Sequence, residues 1–364
     1  MTTVPTQQIR FCTSRDNVRI AYAVHGKGPP LVKTLHWGTH LELDWDTPVW
    51  RSWLEALGRG RTLIRYDARG FGLSDRDVED FSLERHIEDL EAVVQACCVA
   101  PFPLAGMTGG GAIAVAYAVR HPEQVTGLFL YGSYLLGRIA RSITSAQKEE
   151  TEALLRLIEL GWERDDPSFR QLYSSQIIPD ATIDQFRSFN ELLRRSSSPT
   201  NAARLIRAMH RLSIDQLARQ IRCPTLVMHA REDRRLPFEQ GRALAAAIPG
   251  ARFVPLDSRN HLLLEQEPAW KVMVAELEAF LDGIEATRAQ AAGATIEGLT
   301  KREGEVLELI ACGIDNRTIS RRLHMGEKTV RNNVSNIMSK LGVRTRAEAI
   351  ITARDAGFGR TGTG

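Results

Sequence analysis

The sequence predicts two domains, a larger α/β domain with a doubly wound, mostly parallel sheet and a small all-α domain after it. Short β-rich runs alternate with helical stretches from residue 9 to about 135 and again from 225 to 281, which is typical of βαβ units. Residues 138–222 contain no convincing strand and indicate a helical cap. At 364 residues the chain is also longer than one ordinary core.

The elements of the α/β domain, 1–283, follow one another in order. The predicted strands before the cap are 19–24, 31–35, 62–66, 103–105 and 125–131. The predicted helices between these strands are 47–57, 83–97 and 111–120. After the cap we expect strand 225–229, helix 239–247, strand 251–255 and helix 267–281. Small and polar residues at 284–298, without a periodic apolar face, then indicate a linker.

Four helices are predicted in the C-terminal domain, residues 299–358. Thr300 and Glu303 form a capping box, in which the hydroxyl and the carboxylate satisfy free backbone donors at a helix start. That helix ends near Gly313, where glycine tolerates a left-handed turn. The remaining helices are predicted at about 316–323, 327–341 and 346–356, the last one after a second capping box at 345–348.

This small domain has the charge and the pattern of a DNA-binding module. Residues 299–358 hold eleven Lys/Arg and seven Asp/Glu, a net charge of +4, whereas the whole chain carries +3. A helix, a tight turn and a helix with short polar and basic residues near its start fit a DNA major groove. The residues that we expect to face DNA are Arg317, Lys328, Thr329, Arg331, Asn332, Ser335 and Lys340.

The segment from Leu299 to Ile350 resembles the LuxR-type DNA-binding domain over essentially its full length. The resemblance is carried by Thr300, Arg302, Glu303, Glu305, Val306, Leu307, Gly313, Asn316, Ile319, Leu323, Thr329, Val330, Ile337, Lys340, Leu341 and Arg346. It implies a homodimer formed through the last helix and an operator with two half-sites. Thr318, Ser320 and Asn333 depart from the commoner residues. The alternative from pattern alone is a helical bundle for protein contacts.

The α/β domain resembles the α/β-hydrolases in two motifs, 63–75 (LIRYDARGFGLSD) and 105–112 (AGMTGGGA). The second motif sits where that family has its nucleophile elbow, after a strand and at the start of a helix. Asp233 and His261 follow in the family's order of nucleophile, acid and histidine. In the first motif, Asp67 and Arg69 are interpreted as loop-shaping residues.

The family's nucleophilic serine is replaced by Thr108. An elbow holds its central residue in a strained backbone conformation, where a β-branched side chain is costly and its hydroxyl is hindered. We therefore expect a transcription regulator whose hydrolase-like domain binds a small organic ligand without efficient catalysis. The alternative is an esterase that uses Thr108, His261 and Asp233 and is coupled to transcription control.

The ligand is expected in a pocket beside the elbow, under the cap. The oxyanion donors would be the amide of Gly109 and a second amide near Trp37 and Gly38. The residues that we expect at the ligand are Trp37, Gly38, His40, Thr108, Gly109 and His261. For His40, a polar loop with local turn hydrogen bonds is an equally good interpretation.

Composition favours a protein that works in the cytoplasm. Five cysteines without metal-ligand spacing suggest reduced thiols, and the N-terminus lacks the pattern of a signal peptide. No run of 18 apolar residues predicts a membrane span. No cofactor and no metal site are predicted, and the expected partners are DNA, the ligand and a second copy of the chain.

Overall fold

The computed structural model describes residues 7–97, 99, 101–141, 144–296, 298–356 and 358. The chain divides into two compact units, Met1–Phe280 and Leu281–Gly364. The first unit contains the sheet, and the second contains the four C-terminal helices. The predicted fold class is confirmed for both.

Eight strands form one sheet in the order β1-β2-β4-β3-β5-β6-β7-β8. Their bounds are Gln8–Thr13 (β1), Arg19–Gly26 (β2), Pro30–Lys33 (β3), Thr62–Tyr66 (β4), Phe102–Met107 (β5), Val125–Tyr131 (β6), Thr225–Ala230 (β7) and Arg252–Leu256 (β8). The pairs β1–β2 and β2–β4 are antiparallel, and the pairs from β4 to β8 are parallel. The carboxyl ends of the parallel strands therefore meet at one edge, where a site is expected.

Fifteen helices lie in the described residues. Those of the first unit are Leu43–Asp46 (α1), Pro48–Gly58 (α2), Leu83–Cys97 (α3), Gly110–Arg120 (α4), Ser145–Gly161 (α5), Ser168–Ile177 (α6), Ile183–Ser196 (α7), Pro199–Arg211 (α8), Asp215–Ala218 (α9) and Phe238–Ala247 (α10). Pro268–Ile296 (α11) begins in that unit, and Lys301–Ala311 (α12), Asn316–Arg322 (α13), Glu327–Leu341 (α14) and Arg346–Asp355 (α15) follow it. No helix in the described part of the chain is long and apolar enough to cross a membrane.

The centre of the sheet is buried on both faces, as is usual for parallel strands. Every residue of β5 and of β7 is buried, and α4, which follows β5, is buried at nine of its eleven positions. Because α4 is apolar nearly all round, it belongs to the core and carries no solvent-facing stripe. The residue at the junction of β5 and α4 is therefore held in rigid surroundings.

Two features of the first unit differ from the sequence prediction. Strand β1 was not predicted; it is a short strand at the edge of the sheet, and its residues are mostly exposed. Helix α11 continues to Ile296 and so includes most of the predicted linker, 284–298; residue 297 lies outside the described residues. Small residues such as alanine lack an apolar stripe but are good helix formers. The domain boundary itself stays a prediction.

The C-terminal unit has its own core, formed by one face of each helix. Its buried residues are Val306, Leu307, Ile310, Ala311, Ile319, Val330, Val334, Ile337, Leu341, Ala349 and Ala353. Both predicted capping boxes are present, at Thr300 with Glu303 and at Thr345 with Glu348. Asp315 caps α13 by accepting from the amide of Thr318 at 2.8 Å. Thus each of these three helices begins at a side-chain cap.

Candidate ligand cleft and DNA-binding helix

Thr108 lies at the junction of β5 and α4 with a φ of 52°. This left-handed conformation is uncommon for a β-branched residue. Neighbouring glycines make the tight turn possible: a Cβ on Gly106 would lie 2.7 Å from the Cβ of Ala114, and one on Gly110 would lie 2.0 Å from the carbonyl oxygen of Leu35. The geometry of a nucleophile elbow is therefore present around a threonine.

Asp233 and His261 form a buried acid–histidine pair. The Nδ1 of His261 lies 2.6 Å from Oδ2 of Asp233, and the second carboxylate oxygen accepts from the amides of Arg235 and Leu236 at 2.8 Å each. Burial alone would raise the pKa of Asp233, but His261 and His229 outweigh it and hold this pKa well below its usual range. The carboxylate is ionised and fixes the orientation of His261.

Thr108 and His261 both border one cleft. Within the part of the chain that the structure describes, no hydrogen bond joins the Thr108 hydroxyl to His261. The amide of Gly109 likewise has no acceptor among the described residues and can donate to a ligand oxygen. Among the described residues, the site thus contains a paired histidine and carboxylate and an elbow amide without an acceptor, while the Thr108 hydroxyl makes no hydrogen bond to His261.

The cleft encloses about 770 Å³ of empty space, part of it open to solvent. Its aromatic and aliphatic lining residues are Trp37, Trp50, Tyr134, Tyr173, Ile177, Phe189, Ile206, Met209, Leu236 and Leu262. Of the six residues expected at the ligand, the structure brings Trp37, Thr108, Gly109 and His261 into this lining. A concave, mostly apolar cavity with a few polar groups is the usual form of a small-molecule site.

Gly38 and His40 are not among the lining residues. Gly38 has a φ of 80°, and a Cβ there would lie 2.7 Å from Cδ2 of Leu193 in α7, so it allows close packing against the cap. The Nδ1 of His40 accepts from the amides of Glu42 and Leu43 at 3.4 Å each. His40 therefore makes the local turn hydrogen bonds of its alternative interpretation.

Asp67 and Arg69 shape loops, as the sequence analysis proposed. Oδ2 of Asp67 accepts from the amides of Leu41 and Leu73 at 3.2 and 2.8 Å. Arg69 is ion-paired with the buried Asp89 at 2.7 Å. Neither of them lines the cleft.

A buried charged cluster behind the cleft was missed by the sequence analysis. Nζ of Lys33 lies 2.8 Å from Nδ1 of His36, whose ring lines the cleft and stacks on Trp50 at 3.6 Å between centroids. Asp44, fully buried, pairs with Arg65 at 2.7 Å. Burial lowers the pKa of Lys33 to about 7 and that of His36 to about 4. The signal in the sequence was a lysine at the end of the apolar run 31–33.

In the C-terminal unit, α14 presents one exposed polar face. Val330, Val334 and Ile337 are buried in the core, while the predicted DNA-facing residues of the helix are exposed: Lys328, Thr329, Arg331, Asn332, Ser335 and Lys340. Arg317 is exposed on α13. Helix α13, the turn through Met325 and Gly326, and α14 thus form a helix-turn-helix. The polar face of its second helix is exposed.

Lys340 differs from the other predicted DNA-facing residues. Its Nζ lies 2.6 Å from Oε2 of Glu303 and 3.1 Å from the carbonyl oxygen of Gly298. Together with the Thr300 amide, this lysine lowers the pKa of Glu303 to about 2. Lys340 ties the end of α14 to the start of α12, and its contact with DNA stays a prediction.

Fold and site together define a two-domain chain, an α/β-hydrolase-type domain followed by a helix-turn-helix domain. Residues 55–268, more than half of the chain, match the family model described as Serine aminopeptidase, S33, and the chain belongs to that family. Residues 297–353 match the model described as Bacterial regulatory proteins, luxR family. Both resemblances drawn from the sequence are confirmed, and the chain carries a LuxR-type DNA-binding domain.

Some curated relatives match the hydrolase-type domain of this chain, and others match its helix-turn-helix domain. The chain is 25% identical over 272 residues to Pyrrolizixenacetamide deacetylase of Xenorhabdus hominickii, covering 73% of this chain and 95% of that protein. It is 27% identical over 228 residues to 2-hydroxy-6-oxo-2,4-heptadienoate hydrolase of Pseudomonas putida, covering 59% and 72%. It is 45% identical over 60 residues to Transcriptional regulatory protein DegU of Brevibacillus brevis, covering 16% and 25%.

Solved structures of similar fold include an esterase from Exiguobacterium antarcticum, with a TM-score of 0.64 and 21% identity, covering 76% of this chain and all of that one. The enol-lactonase from Burkholderia xenovorans has a TM-score of 0.56 and 22% identity, covering 75% and 100%. At these identities the likeness shows the fold alone.

Proposed function

We propose that this protein is a ligand-responsive transcription regulator, in which the hydrolase-type cleft binds a small organic molecule and the C-terminal domain binds DNA. The observation that carries the proposal is the state of the cleft. It is a mostly apolar cavity lined in part by the elbow residues Thr108 and Gly109, and Thr108 makes no hydrogen bond to His261. Such a cavity retains what binding needs and lacks what turnover needs.

The geometry at Thr108 supports the proposal of inefficient catalysis. A covalent mechanism requires the nucleophile within hydrogen-bond reach of its base, about 2.6–3.2 Å. The methyl group of threonine restricts its χ1 rotamers, so the hydroxyl has fewer ways to turn toward His261. The ordered pair of Asp233 and His261 then serves as a polar wall of the binding site.

On the DNA side, the exposed face of α14 is proposed to enter the major groove. Arg331 and Asn332 have side chains that read base edges, whereas Lys328 and Thr329 suit phosphate contacts. Ile350 and Ile351 of α15 are only half-buried, which supports a homodimer through that helix and hence an operator with two half-sites. The cytoplasm, where DNA is accessible, is the proposed location.

Regulation requires that the ligand bind two conformations unequally, since a ligand with equal affinity for both shifts nothing. The cap helices contribute Tyr173, Phe189 and Ile206 to the cleft, so a ligand touches the cap and the sheet edge together. We propose that a change of this contact alters the affinity of the full chain for its operator.

The test is the operator affinity of the full-length protein with and without cleft ligands. An operator is first selected from random duplex DNA with the wild type, and its affinity is then measured with a panel of small acids, esters and amides. We expect one or more compounds to change the affinity at least fivefold, within the usual range of allosteric coupling of about 5–150-fold. Equal affinity with every compound would contradict the proposal.

A cleft-filling variant separates binding in the cleft from other effects. Ile206→Trp fills the cavity from α8 and is expected to abolish the response while DNA binding persists. Val272→Trp places the same side chain on the exposed surface of α11 and is the matched control. A response that survives in Ile206→Trp would contradict a ligand site in this cleft.

The second candidate function is a working hydrolase, with Thr108 as nucleophile, His261 as base and Asp233 orienting it. The 2.6 Å contact between His261 and Asp233 favours it, as do relatives named as a deacetylase and a hydrolase. Its test is whether ester hydrolysis by the full-length protein depends on both Thr108 and His261.

A further inference from the structure

Three arginines line the cleft beside the elbow. Arg138 and Arg141 lie in the segment that follows β6, and Arg235 lies in the loop that follows β7. Since β6 and β7 are parallel neighbours, these two segments leave the same edge of the sheet. No hydrolase motif in the sequence includes these arginines, and they lie in different loops.

The guanidinium of Arg235 has only neutral partners among the described residues. Its guanidinium carbon lies 4.5 Å from the ring centroid of Tyr173, one nitrogen donates to the Tyr173 hydroxyl at 2.9 Å, and another donates to Oε1 of Gln176 at 3.4 Å. Nε2 of His210 lies 3.3 Å from the same group. Among the described residues, no carboxylate lies within ion-pair distance of Arg235, which is half-buried.

The other two arginines differ in their partners. Arg138 pairs with Glu150 at 2.9 Å, and that carboxylate is 65% exposed. Arg141, also half-buried, donates to the carbonyl oxygen of Leu136 at 3.1 Å, and no described carboxylate pairs with it. The guanidinium groups of Arg141 and Arg235 thus line the cleft with no described carboxylate paired to either of them.

The three arginines are close enough to interact electrostatically. Burial, followed by the charges of Arg138 and Arg235, lowers the pKa of Arg141. Burial, followed by all three arginines, holds the pKa of His210 well below its usual range, and its Nδ1 is buried without a hydrogen-bond partner in the structure. A neutral His210 therefore adds a polar group and no charge to this excess of cations.

Unbalanced cations in a cavity of low polarity are costly, and an anion that binds there removes the cost. Guanidinium groups present planar pairs of donors that match a carboxylate. The rest of the lining, including Trp37, Trp50 and Phe189, is apolar and aromatic. We propose that the cleft binds an organic carboxylate with an aromatic, apolar body, and that Arg141 and Arg235 bind its carboxylate. This inference rests on the proposed function, since it names the ligand class of the same cleft.

The test compares an acid with its neutral analogue of the same shape. Calorimetric titration of the full-length wild type with 2-naphthoate and with 2-naphthamide gives the two affinities. Their ratio measures how much the carboxylate charge contributes to binding. Because a hydrogen bond to a charged group contributes more than a neutral one, we expect the acid to bind about 10- to 100-fold more tightly.

Variants assign that preference to the two arginines. Arg235→Met and Arg141→Met are expected to reduce the preference for the acid at least tenfold, and Arg235→Lys, which keeps the charge and loses the planar fork, to retain part of it. Arg187→Met, at a 77% exposed side chain of α7, is the matched control and is expected to retain all of it. Thermal melts of each variant check that it folds.

The outcomes separate this inference from the proposed function. Equal affinity of acid and amide, or a preference that survives in both methionine variants, would overturn the anion site and leave the cleft as a ligand site. If neither probe binds, the proposal that the ligand is an aromatic carboxylate is contradicted. The effect of other compounds on operator affinity tests the proposed function independently.

Discussion

His261 lies with its Nδ1 2.6 Å from Oδ2 of Asp233, while no hydrogen bond in the described structure links the imidazole to Thr108. The histidine and the carboxylate are therefore paired, and the Thr108 hydroxyl has no hydrogen bond to that pair. Binding and turnover have different requirements at this point: a ligand needs a shaped cavity, whereas a reaction needs an activated hydroxyl.

Thr108 is expected to store backbone strain. At a φ of 52° a residue with a Cβ costs about 1–2 kcal/mol, which glycine avoids. Thr108→Gly should therefore raise the free energy of unfolding of the hydrolase-type domain by about 1 kcal/mol in chemical denaturation. Thr126→Gly, in β6 with an ordinary φ, should lower it. A loss of stability in Thr108→Gly would count against strain at the elbow.

Lys33 is expected to make stability depend on pH above neutrality. Burial lowers its folded-state pKa to about 7, whereas the unfolded chain titrates near 10.4. Between these values the unfolded state binds the extra proton, so the stability of the wild type relative to Lys33→Met should rise with pH. The slope reaches up to about 1.4 kcal/mol per pH unit, and the cost of the buried charge is fully present below pH 7.

Urea denaturation from pH 7 to 9.5 measures this slope for both proteins. Lys271→Met, which removes an exposed lysine of α11, is the control for the loss of one charge. If the free energies of unfolding of the wild type and of Lys33→Met change equally with pH across this range, a buried lysine that titrates there is contradicted.

Glu303 is expected to stabilise the C-terminal domain through Lys340. Glu303→Gln keeps the capping hydrogen bond and loses the ion pair, and should cost about 0.5–1 kcal/mol, a modest value because Lys340 is partly in solvent. The lowered pKa of about 2 means that the contribution is complete above about pH 4.3 and disappears as the pH falls toward 2. Glu305→Gln, more exposed on the same helix, is the control, and a difference that persists at pH 2 would refute the ion pair.

The exposed residues of α14 are expected to divide into two groups in DNA binding. Lys328→Ala should weaken binding to all sequences and reduce the salt slope by about 1, the signature of one phosphate contact. Arg331→Ala should cost about 1–3 kcal/mol on the selected operator and relax its sequence preference. Lys301→Ala, exposed on α12, is the control; an equal effect of all three variants on every duplex would argue against readout by α14.

The fold could be predicted from sequence because apolar runs, helical patterns and capping boxes are local signals. Strand β4, strand β6 and helix α3 have the predicted bounds, and α14 begins and ends where its pattern indicated. Strand β1 escaped because a largely exposed edge strand has little apolar pattern. The C-terminal part of α11 was not predicted as helix. Its alanines have a high helix propensity but form no periodic apolar stripe.

The site could be predicted only where a motif marks it. Thr108, Asp233 and His261 follow strands in a recognisable order, so their convergence was expected. Arg141 and Arg235 are ordinary surface residues by sequence, and only the parallel pairing of β6 and β7 brings their loops together. Likewise nothing local shows that His40 turns back on its own loop. Contacts between distant segments depend on tertiary structure, which local patterns do not encode.

Hydrolysis of 4-nitrophenyl butyrate tests whether the cleft binds ligand without efficient turnover. The proteins compared are the wild type, Thr108→Ser, His261→Ala and Thr108→Ser with His261→Ala. We predict that the wild type is no faster than His261→Ala, and that Thr108→Ser gains about 100-fold or more, a gain that His261→Ala removes. Thr108→Ala is measured beside them, and wild-type turnover that is lost both in Thr108→Ala and in His261→Ala would contradict this prediction and establish a threonine hydrolase.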